Sequence, residues 1–123
     1  MFVCKNYNLI ILDNKKVSEF SNLNINKSIR PNFIIYKKID ISKPVLIKKL
    51  FIFLKKKYSK IDVLINNAAY QGNNKLRTTK FEDLPQESWD NALSVNLTGI
   101  FLCCQEVGKI MKKQKQGNII NIG

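Results

Sequence analysis

The 123 residues of this chain are 45% hydrophobic and 24% charged, a composition typical of one globular domain with a modest core. No apolar run reaches the roughly 18 residues that span a bilayer, and the N-terminus lacks a signal-peptide core, so we expect a cytoplasmic protein without a membrane partner. The net charge of +12 comes almost entirely from dispersed lysines, whereas phosphate and base recognition usually favours arginine, so we expect no specific nucleic-acid partner.

Side chains that commonly form metal and nucleophile–base sites are scarce. The chain has no histidine, which excludes a Ser-His-Asp triad and a His-ligated metal. Its three cysteines, Cys4, Cys103 and Cys104, show no metal-ligand spacing and are odd in number. We therefore interpret them as reduced thiols and predict no metal site.

Strand-like and helix-like segments alternate along the first half of the chain. Asn8–Leu12 and Phe33–Ile39 are apolar runs of strand length. Residues 14–30 between them show a loose helical spacing, which ends before Pro31. A helix then opens at Ser42-Lys43-Pro44, with the serine as its cap and the proline in its first turn. The apolar side chains that we expect on its buried face are Leu46, Leu50, Phe53 and Leu54.

The same alternation continues in the second half. Val63–Ile65 is apolar throughout, as in a parallel strand covered by helices on both faces. A loop of about seventeen residues, Tyr70–Gln86, follows it, and loops of that length often carry binding residues. A long helix starts at Pro85, ends at Gly117 and precedes a last strand, Asn118–Ile122. Its apolar stripe consists of Trp89, Leu93, Leu97, Ile100, Cys104, Val107 and Met111. The pattern predicts a single α/β domain with a parallel sheet over residues 1–123.

Polar residues follow the predicted strands. Asp13 follows the first strand, Asp40 the second, and Asn66 and Asn67 the third. Since parallel α/β sheets bind ligands at the carboxyl ends of their strands, we expect these side chains to line one site. A carboxylate at position 13 would bind ribose hydroxyls and repel a 2′-phosphate, which favours NAD over NADP. Each residue alone is also compatible with an ordinary turn or helix cap.

Three further residues are candidates for this site. Ala68 and Ala69 would let a flat ligand approach the main chain after the third strand, although an Asn-rich turn is the alternative. Asn96 lies in the apolar stripe of the long helix, where a buried amide must find hydrogen-bond partners. It is either a satisfied core residue or a residue that distorts the helix and orders water beside the ligand.

In this order, the segments resemble the short-chain dehydrogenase/reductase family. Asp40-Ile41-Ser42 looks like its adenine-contacting strand end, and Asn66–Ala69 like its Asn-Asn-Ala-Gly motif, with alanine in place of the glycine. Trp89–Phe101 is similar to its long interface helix, and Gly117–Gly123 to the strand that leads to its catalytic serine. The resemblance implies an α/β fold: a partial Rossmann-type parallel sheet flanked by helices and incomplete at both ends.

The resemblance also implies roles for individual residues. Asp13 would bind the adenosine ribose of NAD, and Asp40 with the main chain of Ile41 would hold its adenine. Asn67–Ala69 would lie along the nucleotide. Asn96, the one catalytic candidate, would anchor a proton-relay water through its main chain. The helix over 85–116 could join two subunits into a homo-oligomer.

Two parts of the family pattern are missing from these residues. No glycine-rich phosphate-binding turn is present, and none of the four tyrosines has a lysine four positions later, the pair that transfers the proton. We therefore expect a truncated dinucleotide-binding domain without turnover of its own. Its full-length parent would exchange hydride between a nicotinamide and a small-molecule carbonyl or alcohol. The alternatives are a non-catalytic nucleotide-binding or assembly module, a pseudogene product and a basic interaction protein.

Overall fold

The computed structural model describes residues 8–14 and 33–123, in two units divided between residues 40 and 41. The first unit contains strands β1 (Asn8–Asp13) and β2 (Phe33–Lys38). The elements of the second unit are α1 (Pro44–Lys57), β3 (Val63–Asn66), α2 (Asn74–Thr78), a 3-10 turn (Phe81–Asp83), α3 (Gln86–Leu93), a π-helical segment (Ser94–Gly99), α4 (Ile100–Gln114) and β4 (Asn118–Asn121). Cys4 lies outside the described residues. So does the helix predicted over 14–30, apart from Asn14.

The strands form two parallel pairs. In the first unit β1 and β2 pair in a register from Asn8 opposite Phe33 to Asp13 opposite Lys38. In the second unit β3 and β4 pair from Val63 opposite Asn118 to Asn66 opposite Asn121. The α/β class with short parallel strands and flanking helices is therefore confirmed, and the four strands begin where the sequence predicts. Among the described residues each hydrogen-bonded ladder contains two strands.

The core of the second unit lies where α1 and α4 pack against each other. Ile47 and Val107 are fully buried at the centre of this contact. The other buried apolar side chains of the two helices are Leu50, Phe51, Leu54, Cys103 and Met111. They recur three or four residues apart, as one face of a helix requires.

The buried face of α1 differs from the predicted one in two positions. Leu46 and Phe53 were expected inside, but both are exposed, and Ile47 and Phe51 take their places. The cap also differs: Lys43, not Ser42, is the N-cap residue, and its carbonyl accepts the N–H of Ile47 at 3.2 Å. Most of this helix is apolar in sequence, so periodicity permits several faces and packing on α4 decides among them.

The long helix is continuous from Gln86 to Gln114 but is π-helical from Ser94 to Gly99. It ends in a left-handed residue, Lys115, at φ 60°, which is not the glycine that the sequence suggested. Gly117, at φ 151°, then turns the chain into β4, and a Cβ there would collide with Met111.

One face of the second sheet packs on α4 and the other is exposed. Asn66 is buried and contacts α4, and Leu64 lies on the same face because side chains alternate along a strand. Val63 and Ile65 are 47% and 58% exposed, so the prediction that β3 is buried on both faces is wrong for this strand. The helices of the described residues cover only one side of it.

None of the helices within residues 8–14 and 33–123 is long and apolar enough to cross a bilayer.

Candidate functional site

In the first unit, the structure brings the two candidate carboxylates to one sheet edge. Asp13 is the last residue of β1, and its main-chain carbonyl accepts the N–H of Ile39 at 2.6 Å. This bond extends the parallel pairing to the residue before Asp40. Both acidic residues, each half-buried, therefore lie at the carboxyl end of the β1–β2 pair.

In the second unit, β3 ends in a buried asparagine, and an exposed asparagine follows it directly. Asn66 is only 7% exposed, whereas Asn67, Ala68 and Ala69 are all exposed. The two neighbouring asparagines thus have different environments. Asn67 and the two alanines present an amide and two small side chains at the carboxyl end of β3.

Asn66 ties two strands and a helix together. Its Nδ2 donates to Oδ1 of Asn121 at 2.8 Å and to Sγ of Cys104 at 3.2 Å. Asn121 is the register partner of Asn66 at the end of β4, and Cys104 lies on α4. Our sequence analysis missed this cluster, although an asparagine at equivalent positions of two neighbouring strands could have indicated it. The cluster fixes the strand end from which the exposed segment begins.

Asn96 holds the chain just beyond that segment. Its Oδ1 accepts the N–H of Tyr70 at 2.6 Å, and its Nδ2 donates to the carbonyl of Tyr70 at 3.0 Å. Asn96 is exposed, so the expectation of a buried amide in the apolar stripe is wrong: the side chain turns to the loop after β3. It lies within the π-helical segment, and such irregular turns occur frequently at functional sites.

The π-helical segment also packs against the turn that precedes α1. Gly99 is buried, and a Cβ built on it would lie 2.7 Å from the carbonyl oxygen of Ile41. The π-helical turn therefore contacts Ile41 through Gly99, and through Asn96 it contacts Tyr70, the residue that follows Asn67–Ala69. Sequence reasoning missed Gly99, although a glycine inside a helical pattern often marks a close approach.

The Cys103 thiol, beside this region, is a poor nucleophile at neutral pH. Burial, and to a smaller extent the neighbouring Cys104, raise the pKa of the Cys103 thiol to about 11. Since the thiolate is the reactive form, Cys103 is protonated and inert at pH 7. Among the described residues, no three His, Cys, Asp or Glu side chains are grouped so that they could hold a metal ion.

Known proteins resemble this chain in sequence. It is 37% identical over 94 residues to an NAD-dependent glycerol dehydrogenase of Listeria innocua, covering 76% of this chain and 35% of that protein. It is 39% identical over 99 residues to a 3-oxoacyl-acyl-carrier-protein reductase of Buchnera aphidicola, covering 80% of this chain and 38% of that protein. The chain thus spans little more than a third of the length of these curated relatives.

Solved structures share the fold. NAD⁺-bound xylitol dehydrogenase superposes with a TM-score of 0.73 at 24% identity, covering 93% of this chain and 42% of that one. A metagenomic short-chain oxidoreductase in complex with NADP superposes with a TM-score of 0.68 at 24% identity. The match covers 74% of this chain and 39% of that one. The sequence pattern of the short chain dehydrogenase family matches residues 2–123. Because that match extends over nearly the whole chain, the protein belongs to the short chain dehydrogenase family.

Proposed function

We propose that this chain is the nucleotide-binding part of an NAD-dependent oxidoreductase that transfers hydride between a nicotinamide and a carbonyl or alcohol of a small molecule. The observation that carries the proposal is the double hydrogen bond between Asn96 and Tyr70. It joins the helix residue expected in the proton relay to Tyr70, the residue that directly follows the exposed segment expected along the nucleotide. Family membership supplies the reaction class, while residue roles and substrate are part of the proposal.

Each unit contains groups of the kind that bind a dinucleotide. Carboxylates such as those of Asp13 and Asp40 accept hydrogen bonds from ribose hydroxyls and from an adenine amino group. The main chain of Ile41 would complete the adenine contact. The exposed segment Asn67–Ala69 has small side chains, which allow a ligand to approach the backbone. When bound, NAD supplies the nicotinamide that accepts or donates the hydride.

The proposed preference is for NAD over NADP. It rests on Asp13, since a carboxylate beside the ribose repels a 2′-phosphate. Isothermal titration calorimetry of the chain with each nucleotide tests this choice, with Asp13→Asn as the variant. We expect NAD to bind at least tenfold more tightly, and the variant to narrow the difference by removing the charge. Equal affinities in the wild-type chain would refute the preference.

The chain itself is proposed to bind nucleotide without turnover. Asn96 would anchor a relay water through its main chain, but no tyrosine among the 123 residues has a lysine four positions later to act as the proton donor. A non-catalytic nucleotide-binding or assembly module is the alternative function that this sequence feature favours. NADH oxidation by the purified chain with a panel of carbonyl substrates should stay at background. Measurable turnover would show that another group donates the proton.

The partner proposed for the long helix is a second copy of this chain. Large apolar side chains recur every four residues along it and are exposed: Trp89, Leu93, Leu97 and Phe101. We also propose a cytoplasmic location, because Cys103 and Cys104 are free thiols, as in a reducing compartment.

A further inference from the structure

Gly99 is required for space and not for its backbone angles. Its φ of −61° and ψ of −46° are those of an ordinary helix, which any residue adopts. A Cβ at this position would nevertheless lie 2.7 Å from the carbonyl oxygen of Ile41 and 3.0 and 3.1 Å from two carbons of the Ile41 side chain. The oxygen belongs to main chain, so it cannot move away by a simple side-chain rotation.

The second glycine of the helix provides a contrast. Gly108 lies nine residues further along α4, and a Cβ there would meet nothing within 4 Å. An alanine would therefore fit at position 108 and would favour the helix. Of these two helix glycines, Gly99 is the one whose backbone lies so close to another segment that a methyl group is excluded.

We propose that Gly99 is a positioning residue. Its lack of a side chain lets the π-helical turn pack directly against the main chain of Ile41, and this contact fixes the position of the Asn96–Tyr70 pair relative to Ile41. The inference rests on the proposed function, in which Ile41 holds the adenine and Asn96 serves the relay. Gly99 itself touches neither cofactor nor substrate. It acts on the site indirectly, through its contact with Ile41 and through Asn96, which lies three residues before it in the helix.

An added methyl group displaces this arrangement. Since real Cβ atoms essentially never approach another atom within 3.0 Å, the helix and the Ile41 turn must separate by at least 0.3 Å. Because the helix segment also carries Asn96, the shift is transmitted to its two bonds with Tyr70. A small displacement of groups that hold a ligand costs affinity, because hydrogen bonds weaken steeply away from their best distances and angles.

The experiment compares Gly99→Ala with Gly108→Ala in the full 123-residue chain. Calorimetry gives the dissociation constant for NAD, and nuclear magnetic resonance without ligand gives the chemical shifts of the Tyr70 amide and the Asn96 side-chain amide. We expect Gly99→Ala to weaken NAD binding about tenfold, as for a loss of roughly 1.4 kcal/mol, and to move both resonances. Gly108→Ala should change the affinity less than twofold and leave both resonances in place.

A variant from the opposite side of the contact covers the case in which Gly99→Ala does not fold. Ile41→Ala removes the two side-chain carbons nearest Gly99 and adds no atoms. We expect it to move the Tyr70 resonance and to weaken NAD several-fold.

The outcomes separate this inference from the proposed function. If the wild-type chain binds no NAD, the proposed function fails, and the resonances alone then decide whether Gly99 positions the turn. If NAD binds but Gly99→Ala matches Gly108→Ala in affinity and in both resonances, the positioning role is overturned while the proposed function stands.

Discussion

The side-chain amide of Asn96 bonds both main-chain groups of Tyr70, accepting from its N–H at 2.6 Å and donating to its carbonyl at 3.0 Å. The two residues are 26 positions apart, on the long helix and in the loop after β3. A side chain must carry one acceptor and one donor in a single plane to make both bonds, as a primary amide does. This explains why an exposed helix position holds an asparagine.

The Asn96→Asp substitution tests this pairing. A carboxylate keeps the acceptor for the Tyr70 N–H but places its other oxygen against the Tyr70 carbonyl, so we expect the free energy of unfolding to fall by about 1–2 kcal/mol at pH 7. Below pH 4 the carboxyl group is protonated and donates again, so the difference from wild type should shrink. Urea unfolding at both pH values measures it. Asn91→Asp, at an exposed position of the same helix, is the control, and equal losses in both variants would contradict the pairing.

The strands were the most predictable part of the fold. Each is a short apolar run with a polar residue after it, and in a parallel α/β pattern few other structures fit such runs. For β1 and β4 the observed bounds, Asn8–Asp13 and Asn118–Asn121, differ from the predicted ones by one residue at the carboxyl end. The polar residues at these ends were recognisable as site candidates for the same reason.

Contacts between distant segments were not predictable from the local pattern. Neither the burial of Ile47 instead of Leu46 nor the exposure of Asn96 follows from spacing, because each depends on which segment the helix faces. The π-helical turn has no periodic signature of its own. The contact between Gly99 and Ile41 joins segments 58 positions apart, and a single glycine gives no indication of its neighbour.

The two consecutive asparagines after β3 should respond differently to substitution. Asn66→Ala removes the donor that joins Asn121 and Cys104 in a buried position, so we expect a loss of about 1–3 kcal/mol in the free energy of unfolding. Asn67→Ala changes an exposed side chain and should cost less than about 0.5 kcal/mol, while weakening NAD binding under the proposed function. Urea unfolding and calorimetry on both variants give the comparison. The reverse pattern, with Asn67 the structural residue, would refute these assignments.

Burial of Cys103 should make the protein less stable at alkaline pH. Its pKa is about 11 in the folded chain and 9.0 for the unperturbed thiol, because burial first and the Cys104 thiol second disfavour the thiolate. Between these values the unfolded chain has lost a proton that the folded chain retains, so stability is fully present below pH 9 and falls as the pH rises through 11. From 1.36 kcal/mol per unit, the loss is at most roughly 2–3 kcal/mol.

The Cys103→Ala variant isolates this effect. Alanine does not ionise, so the variant should lose the contribution of Cys103 to the pH dependence of stability. We expect the difference in unfolding free energy between wild type and variant, measured by urea unfolding from pH 8 to pH 11, to decrease with pH. A difference that is constant across this range would show that Cys103 ionises equally in both states.

The exposed stripe on the long helix should control self-association. Leu97 is 63% exposed at its centre, between Leu93 and Phe101, and a charge there would have to be desolvated if a second copy packed against the stripe. We expect Leu97→Glu to be monomeric at concentrations where the wild-type chain is dimeric by sedimentation equilibrium, with unchanged urea unfolding of the monomer. Ile52→Glu, at a 69% exposed apolar position on α1, is the matched control and should dimerise like wild type. If both variants dimerise like wild type, or if the wild-type chain is monomeric, the long helix is not the interface between copies.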